Sequence, residues 1–444
     1  MKRVGRVVIL LSLLLPAAAA QKQSAKLSSV AAAKLIALKV TGTARYTDKE
    51  ILASSGLQIG QNAADGDFKE AVRRLGDSGL FSDVAYSYTS SGTTVKLELQ
   101  LTDTDKSKLV PARFENFVWF TDDELRTAVQ RRVPLFKQVV PLVGNLPDEV
   151  SEALQAMLTE KQFPGRVNYL REGDESGGPV SAIVYRAEEV SIRISGFEFP
   201  GATPEQAALL TTAARHAMGA EYGRSSLVAV AKFDLFPVFL QRGYLKATFG
   251  ASEARVLPHP PPAEDAQVAV GDVQVIAIVP VTPGKVYSTS GVEWKGNSAL
   301  TIAEVAPLVH LEPGQPVDAV RLLRDVENIG KFYRSRGYMT IQVKPEAQFD
   351  DEHSAVHYDL NVVEGDLYKM GELEIAGLDT QSTVRMRAAW TLREDQPYNA
   401  DYPRKFLEDT RQLVPRGVPW AVSIHESLDA KDKTVDVEIR FKQQ

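Results

Sequence analysis

The chain has 444 residues, 44% apolar and 24% charged, an ordinary globular composition with enough apolar residues for several separate cores. A formal charge of −6 leaves no basic surplus for a nucleic-acid or anionic-lipid surface. The absence of cysteine excludes disulfides, thiolate metal sites, thiol catalysis and a lipidated cysteine anchor.

Lys2, Arg3 and Arg6 introduce the apolar run Val7 to Leu15, followed by Pro16 and the alanines Ala17 to Ala20. A charged start, a short apolar core and a small-residue site read as a secretory signal peptide over 1–20, cut after Ala20. The run is shorter than the ~20 residues a membrane-spanning helix needs. A periplasmic protein is expected, with peripheral association at the outer membrane. Residues 21–33 are small and polar and read as a flexible lead-in.

The first repeat, 34–104, opens on the strand Leu35 to Thr41, ending at Gly42. Thr47 and Glu50 have the spacing of a capping box. Asp65 to Ser78 reads as a second helix, with Phe68, Val72 and Leu75 on one face and Gly79 as its stop. Phe81 to Tyr88 and Val95 to Leu101 read as strands joined through Ser90-Ser91-Gly92.

The second repeat, 109–188, has a strand at Ala112 to Trp119, with Asn116 where the others carry glycine. Thr121 to Glu124 is another capping box. Val133 to Asn145 reads as an irregular loop because of Pro134, Pro141 and Gly144. A helix follows from Pro147 to Lys161, then a hairpin over Phe163 to Arg186 turning at Gly173 to Gly178.

The third repeat, 189–281, starts with the strand Val190 to Gly196. Thr203 to Gln206 begins its first helix. Ser225 to Arg242 is the second, with a kink expected at Pro237. Gly243-Tyr244 opens a hairpin whose turn is lengthened by Pro258-His259-Pro260-Pro261-Pro262.

The fourth repeat, 282–365, has a strand at Val292 to Trp294 and a helix at Thr301 to Leu308. Asp318 caps a second helix carrying Val320, Leu323, Ile329, Phe332 and Tyr333. Gly337-Tyr338 leads into a strand over Thr340 to Pro345, and Ala355 to Val363 closes the hairpin. The fifth, 366–444, runs through Leu373 to Gly377, Ser382 to Leu392, Asn399 to Val414, Gly417 to His425 and Thr434 to Phe441.

These two repeats share a spacing. Gly284 and Gly365, Tyr287 and Tyr368, and Gly296 and Gly377 are each 81 apart (365 − 284, 368 − 287, 377 − 296), and Pro316 and Pro397 keep that offset. One period across strand, helix and turn signals indicates tandem copies of one small domain.

A strand–helix–helix–strand–strand repeat, entered through Glu364-Gly365-Asp366-Leu367-Tyr368 and a strand ending in Gly377, resembles the POTRA (polypeptide-transport-associated) domain. The stretch Glu364 to Gly377 is similar to the seam between such domains in the outer-membrane protein insertase family. Arg336-Gly337-Tyr338 and Gly79-Leu80-Phe81 match that family's turn from second helix to second strand. The resemblance covers Lys34 to Gln444 and implies an α+β fold: five tandem β-α-α-β-β domains in an elongated array, each a three-stranded mixed sheet with two helices on one face. The chain ends three residues after Phe441, so the family's transmembrane barrel is expected to be absent and the protein to act as a companion to a separate barrel.

His353 and His357, near Asp350, Asp351 and Glu352, form the one sequence cluster with metal-ligand character, and read as a solvated hairpin tip. There is no nucleophile elbow, phosphate loop or dinucleotide fingerprint. No enzyme activity, metal or cofactor is expected.

The resemblance also implies a strand order of first, third, second, leaving the second strand at the sheet edge beside a helix. Such an edge carries unpaired N–H and C=O groups that an extended peptide can pair with. The candidate edges are Phe81–Tyr88, with Phe81, Val84 and Tyr86; Phe163–Leu170; Tyr244–Phe249, with Tyr244; Tyr338–Lys344, with Tyr338, Met339, Thr340, Ile341, Gln342 and Val343; and Val418–His425, with Val418 and Val422. Arg334, Arg336, Lys344 and Pro345 would discourage indiscriminate self-pairing on the fourth. The expected function is capture of unfolded outer-membrane or secreted polypeptides by strand addition during outer-membrane protein assembly. The alternative is a scaffold docking a separate outer-membrane barrel or envelope complex without touching clients.

Overall fold

The computed structural model describes residues 6–9, 32–173, 178–258, 272–415, 417 and 419–443. The expected cleavage site at Ala20, most of the lead-in, the tip of the second hairpin, most of the proline-rich run and Val418 lie outside these residues.

β1 (Arg6–Ile9) lies within the expected signal peptide, and the first repeat carries β2 (Ala33–Thr41), α1 (Asp48–Ser55), β3 (Asn62–Ala63), α2 (Asp65–Asp77), β4 (Phe81–Ser91) and β5 (Thr94–Asp103). The second carries β6 (Leu109–Phe114), α3 (Asp122–Arg132), β7 (Val139–Pro141), α4 (Leu146–Glu160), β8 (Arg166–Gly173) and β9 (Val180–Glu188). The third follows with β10 (Ser191–Glu198), α5 (Pro204–Ala213), α6 (Arg224–Val230), α7 (Phe236–Leu240), β11 (Thr248–Phe249), β12 (Glu253–Val256) and β13 (Asp272–Ile278). Then come β14 (Val281–Thr282), β15 (Ser288–Lys295), α8 (Ile302–Val305), α9 (Ala319–Arg334), β16 (Gln342–Asp350) and β17 (Ala355–Val363). The last are β18 (Lys369–Ala376), α10 (Thr380–Ala389), α11 (Tyr402–Asp409), β19 (Trp420–Asp429) and β20 (Thr434–Gln443).

Local chemistry explains the helix starts. Thr47 and Thr121 each accept from the backbone three residues on, while Glu50, Glu124 and Glu304 reach back to accept from the capping threonine's backbone N–H. Thr203 and Gln206 make the same reciprocal pair. Each pair satisfies donors that a helix start leaves open. α2 buries Phe68, Ala71, Val72 and Leu75 on one face, the spacing of an amphipathic helix. α9 buries Leu322, Ile329 and Tyr333. Leu323 is 58% exposed, because the buried stripe runs through its neighbour Leu322.

The chain forms two compact units, one comprising Met1–Pro200, Ala214–Ala231 and Ala251–Pro280, the other the remainder. In the first, the sheets have the orders β1-β4-β5-β2-β3, β7-β6-β9-β8 and β10-β13-β12. Their shared core includes Phe68, Leu97 and Leu99 from the first repeat, Phe136 and Tyr185 from the second, and Ile192 from the third. The second unit holds the sheets β15-β17-β16 and β18-β20-β19 and the two-stranded pair β11-β14. Tyr333 and Leu360 centre the fourth repeat's core, Tyr398 and Ile439 the fifth's.

One rule runs through all the larger sheets. The repeat's first strand pairs parallel with its last, and the last pairs antiparallel with the second. β5, β9, β13, β17 and β20 are therefore central, and β4, β8, β12, β16 and β19 take the far side. A register shift recurs in the first strand, at Leu35/Ala37, Ile194/Gly196, Thr289/Gly291 and Met370/Leu373.

The glycine ending the first strand is held by close backbone approach. A Cβ on Gly377 (φ 90°) would meet the Phe441 carbonyl oxygen at 1.8 Å, and one on Gly296 (φ 87°) would meet that of Val362 at 2.3 Å. In the third repeat this role belongs to Gly201, 2.1 Å from the Val281 oxygen by the same measure. Gly196, expected there, lies inside β10 after its register shift. In the second repeat Asn116 substitutes with its side chain, donating to Ala187 O at 2.9 Å and accepting from Ala187 N at 2.8 Å.

Three further expectations are corrected. Val133–Asn145 is not wholly irregular, since β7 pairs with Leu109–Pro111 of β6. The long helix expected over Ser225–Arg242 is divided into α6, a π turn at Ala231–Leu235 and α7. Pro237 near the start of α7 has no N–H to continue the ladder. The strands expected from Tyr244 and Tyr338 begin later. Tyr338 N donates to Tyr333 O, Met339 N to Gly337 O and Ile341 N to Tyr338 O, while Tyr244 N donates to Phe239 O and Leu245 N to Gly243 O. Tight turns after each helix spend these donors locally, so extended pairing begins only afterwards.

Candidate functional site at the open sheet edges

The five far-side strands differ in what they leave open. Phe81, Val84 and Tyr86 lie on β4, but their side chains are buried in the core. Tyr86 rests near Phe68 at 6.3 Å between ring centres and donates its hydroxyl to Asp65 at 2.8 Å. Burial, then the Asp65 carboxylate, push this hydroxyl well above the usual tyrosine range. β4 can therefore offer only its backbone, and in this structure β1 pairs antiparallel with it over Tyr86–Thr89.

On β8, the expected Phe163–Leu170 edge moves to Arg166–Gly173. The Val167 N–H is already taken by the Gln155 side chain at 2.8 Å, and Arg171 donates to Leu142 O at 3.0 Å. β12 has four residues. Tyr244 is not on it: that ring packs edge-on against Phe239 at 5.6 Å, after α7.

Of the six residues expected on the fourth edge, only Gln342 and Val343 belong to β16. Tyr338 meets Tyr333 edge-on at 5.9 Å, Ile341 is a core residue, and Met339 packs against the fifth repeat's core. Thr340 stands in the turn. Pro345, paired with Leu360, interrupts β16. A proline in an edge strand has its missing donor on the open side.

β19 has ten residues without proline. Val422 lies on it, 42% exposed, although its register partner Phe441 is buried. Beside it runs a groove of about 440 Å³, floored by Leu407, Val414, Trp420, Val422 and Phe441. Arg404, Glu408 and Arg411 form its rim. Sequence reading missed this groove, though Arg404, Leu407 and Arg411 at i, i+3 and i+7 carry the signal of one helix face.

The histidine cluster does not converge. His353 Nδ1 lies 2.8 Å from Asp350, while Asp351 accepts from Lys246 and Tyr287. His357 instead joins Glu293 and Asp359, whose ligand atoms lie within 4.8 Å of one another. Lys295 Nζ is 2.7 Å from Asp359 and 3.6 Å from Glu293. That ammonium already supplies the positive charge, and it holds the Asp359 carboxyl below its usual range against the opposing effect of burial. No helix among the described residues is long and apolar enough to cross a membrane.

The family model described as "POTRA: Surface antigen variable number repeat" matches residues 287–365. Similar solved structures include POTRA3-5 of BamA from Haemophilus influenzae, with a TM-score of 0.41 and 15% identity, covering 56% of this chain and 96% of that one. The N-terminal domain of Omp85 from the cyanobacterium Thermosynechococcus elongatus gives 0.24 and 19%, covering 58% and 99%. POTRA1-3 of the periplasmic domain of Omp85 from Anabaena gives 0.26 and 18%, covering 57% and 95%. The matched residues contain β15, α8, α9, β16 and β17. The match to the POTRA family model thus spans one complete strand–helix–helix–strand–strand repeat of this chain.

Proposed function

We propose that the chain is a periplasmic array of five POTRA domains, at 34–104, 109–188, 189–281, 282–365 and 366–444, that captures unfolded outer-membrane or secreted polypeptides by strand addition. It acts without catalysis in outer-membrane protein assembly, after removal of residues 1–20. The observation that carries this reading is the repeated sheet order, which puts the second strand of every repeat at the far side of its sheet. Such strands present alternate N–H and C=O groups outward, and backbone pairing with them demands no particular client sequence. That breadth suits a binder of many β-rich clients. The antiparallel addition of Arg6–Ile9 to β4 supports the same reading, and cleavage after Ala20 would vacate that edge.

The test is fluorescence anisotropy of the mature chain with a labelled, unfolded outer-membrane barrel hairpin. Saturable binding, competed by unlabelled hairpins of unrelated sequence, is expected. No binding of any barrel segment, together with stable co-purification of a separate barrel or envelope protein, would replace client capture with scaffold docking.

A further inference from the structure

We propose that β19 and the groove under α11 form the docking site for an extended polypeptide segment that places one apolar side chain between two carboxylates. This rests on the strand-addition reading above and adds its place and the chemistry of its ligand.

The choice among edges follows from what each lacks. β4 turns Phe81, Val84 and Tyr86 into its own core, Gln155 caps the Val167 donor of β8, and β12 is short. The comparison with β16 is the sharpest. Trp294 pairs with Leu360 in the fourth sheet and Ile375 with Ile439 in the fifth, positions 81 apart in the first strands (375 − 294). Pro345 faces Leu360 and Ile424 faces Ile439. Ile424 is thus the register counterpart of Pro345, and where β16 lacks an outward donor, β19 has one.

The groove explains what else the edge can hold. α11 has 8 residues where α9 has 16, so less helix is available to cover the strand. Val422 is left half-exposed on the side of the sheet that faces the core residue Phe441. A strand added alongside β19 would direct every second side chain into this space. An apolar one would meet Val422, Trp420 and Leu407. Arg404 and Arg411 at the rim have no carboxylate partner among the described residues. With Glu408 opposing them the rim keeps a net positive charge, complementary to carboxylates flanking the apolar residue.

The experiment uses the mature chain and two capped peptides, Ser-Asp-Thr-Val-Thr-Asp-Ser and its counterpart with lysine for both aspartates. The acidic peptide should bind about tenfold more tightly, and should slow amide exchange selectively in β19. The double variant Arg404→Glu/Arg411→Glu, confined to exposed side chains, should reverse the preference. A thermal melt matching the parent's shows that the variant is folded. Equal binding of the two peptides, or protection on β4, β8 or β16 instead, would overturn this site while leaving strand addition standing. If an unfolded barrel hairpin also fails to bind, strand addition fails with it.

Discussion

The backbone N–H of Tyr368 donates to the carbonyl of Gly337 at 2.8 Å, and Tyr287 makes the same bond to Gly243 at 2.8 Å. Each tyrosine carbonyl then accepts from within its own repeat, Tyr368 from Tyr398 N at 2.9 Å and Tyr287 from Val317 N at 3.0 Å. The end of one repeat's helix is thereby stitched to the entry of the next by main-chain bonds that no side-chain substitution removes directly. Both tyrosines are buried, which explains why the entry motif keeps its spacing.

Gly337 should be intolerant of a side chain. At φ 94° an added Cβ would lie 2.6 Å from Tyr368 O and 2.8 Å from Leu367 Cδ1. Gly417, with the same φ of 94°, meets no atom of the described residues beyond its chain neighbours within 4 Å of that position. Gly417→Ala should cost only the left-handed penalty, about 1 kcal/mol, and Gly337→Ala roughly 3 kcal/mol. Urea unfolding of the two variants checks the difference.

Glu364 should contribute stability that acid removes. Burial alone would raise its carboxyl, but hydrogen bonds from the Ser298 hydroxyl and backbone, the Ala299 backbone and Tyr333 outweigh it and hold it below the usual range. A depressed carboxyl stabilises the fold above its unfolded-state value, and that stability is lost as pH falls through the folded value. Glu364→Gln should cost about 2 kcal/mol near neutral pH, and the gap to the parent should shrink when urea midpoints are taken in acid.

Asn116 occupies a site where other repeats use glycine, and it is 1% exposed. Asn116→Ala would leave both Ala187 backbone groups without their present partner, for a loss of about 2 kcal/mol. Asn116→Gly should not recover it, because a bare backbone does not supply the lost donor and acceptor. Thermal unfolding of both variants distinguishes these outcomes.

Pro345→Val should open the fourth edge. It restores the donor that β16 lacks, and Val fits a half-buried strand position. Hydrogen exchange should then show hairpin-dependent protection in β16, with self-association rising at high protein concentration.

Much of this architecture was legible because its signals are local demands of the backbone. Gly284, Gly365, Gly296 and Gly377 all take positive φ, so their period of 81 records a recurring backbone conformation. Strand starts were less legible. Tyr244 and Tyr338 look like strand residues by composition, yet turns after the preceding helices consume the local donors. Gly196 stood where a crossover glycine was expected, and the close approach falls on Gly201. The β19 groove depends on what a short helix fails to cover, a property of packing that periodicity alone does not reveal.

Hydrogen–deuterium exchange on the mature chain, with and without an unfolded outer-membrane barrel hairpin, tests the central claim most directly. Strand addition predicts slowed exchange on one or more of β4, β8, β12, β16 and β19, with the central strands unchanged. Bound hairpin with protection confined to helix faces, or with none of these edges protected, would contradict it.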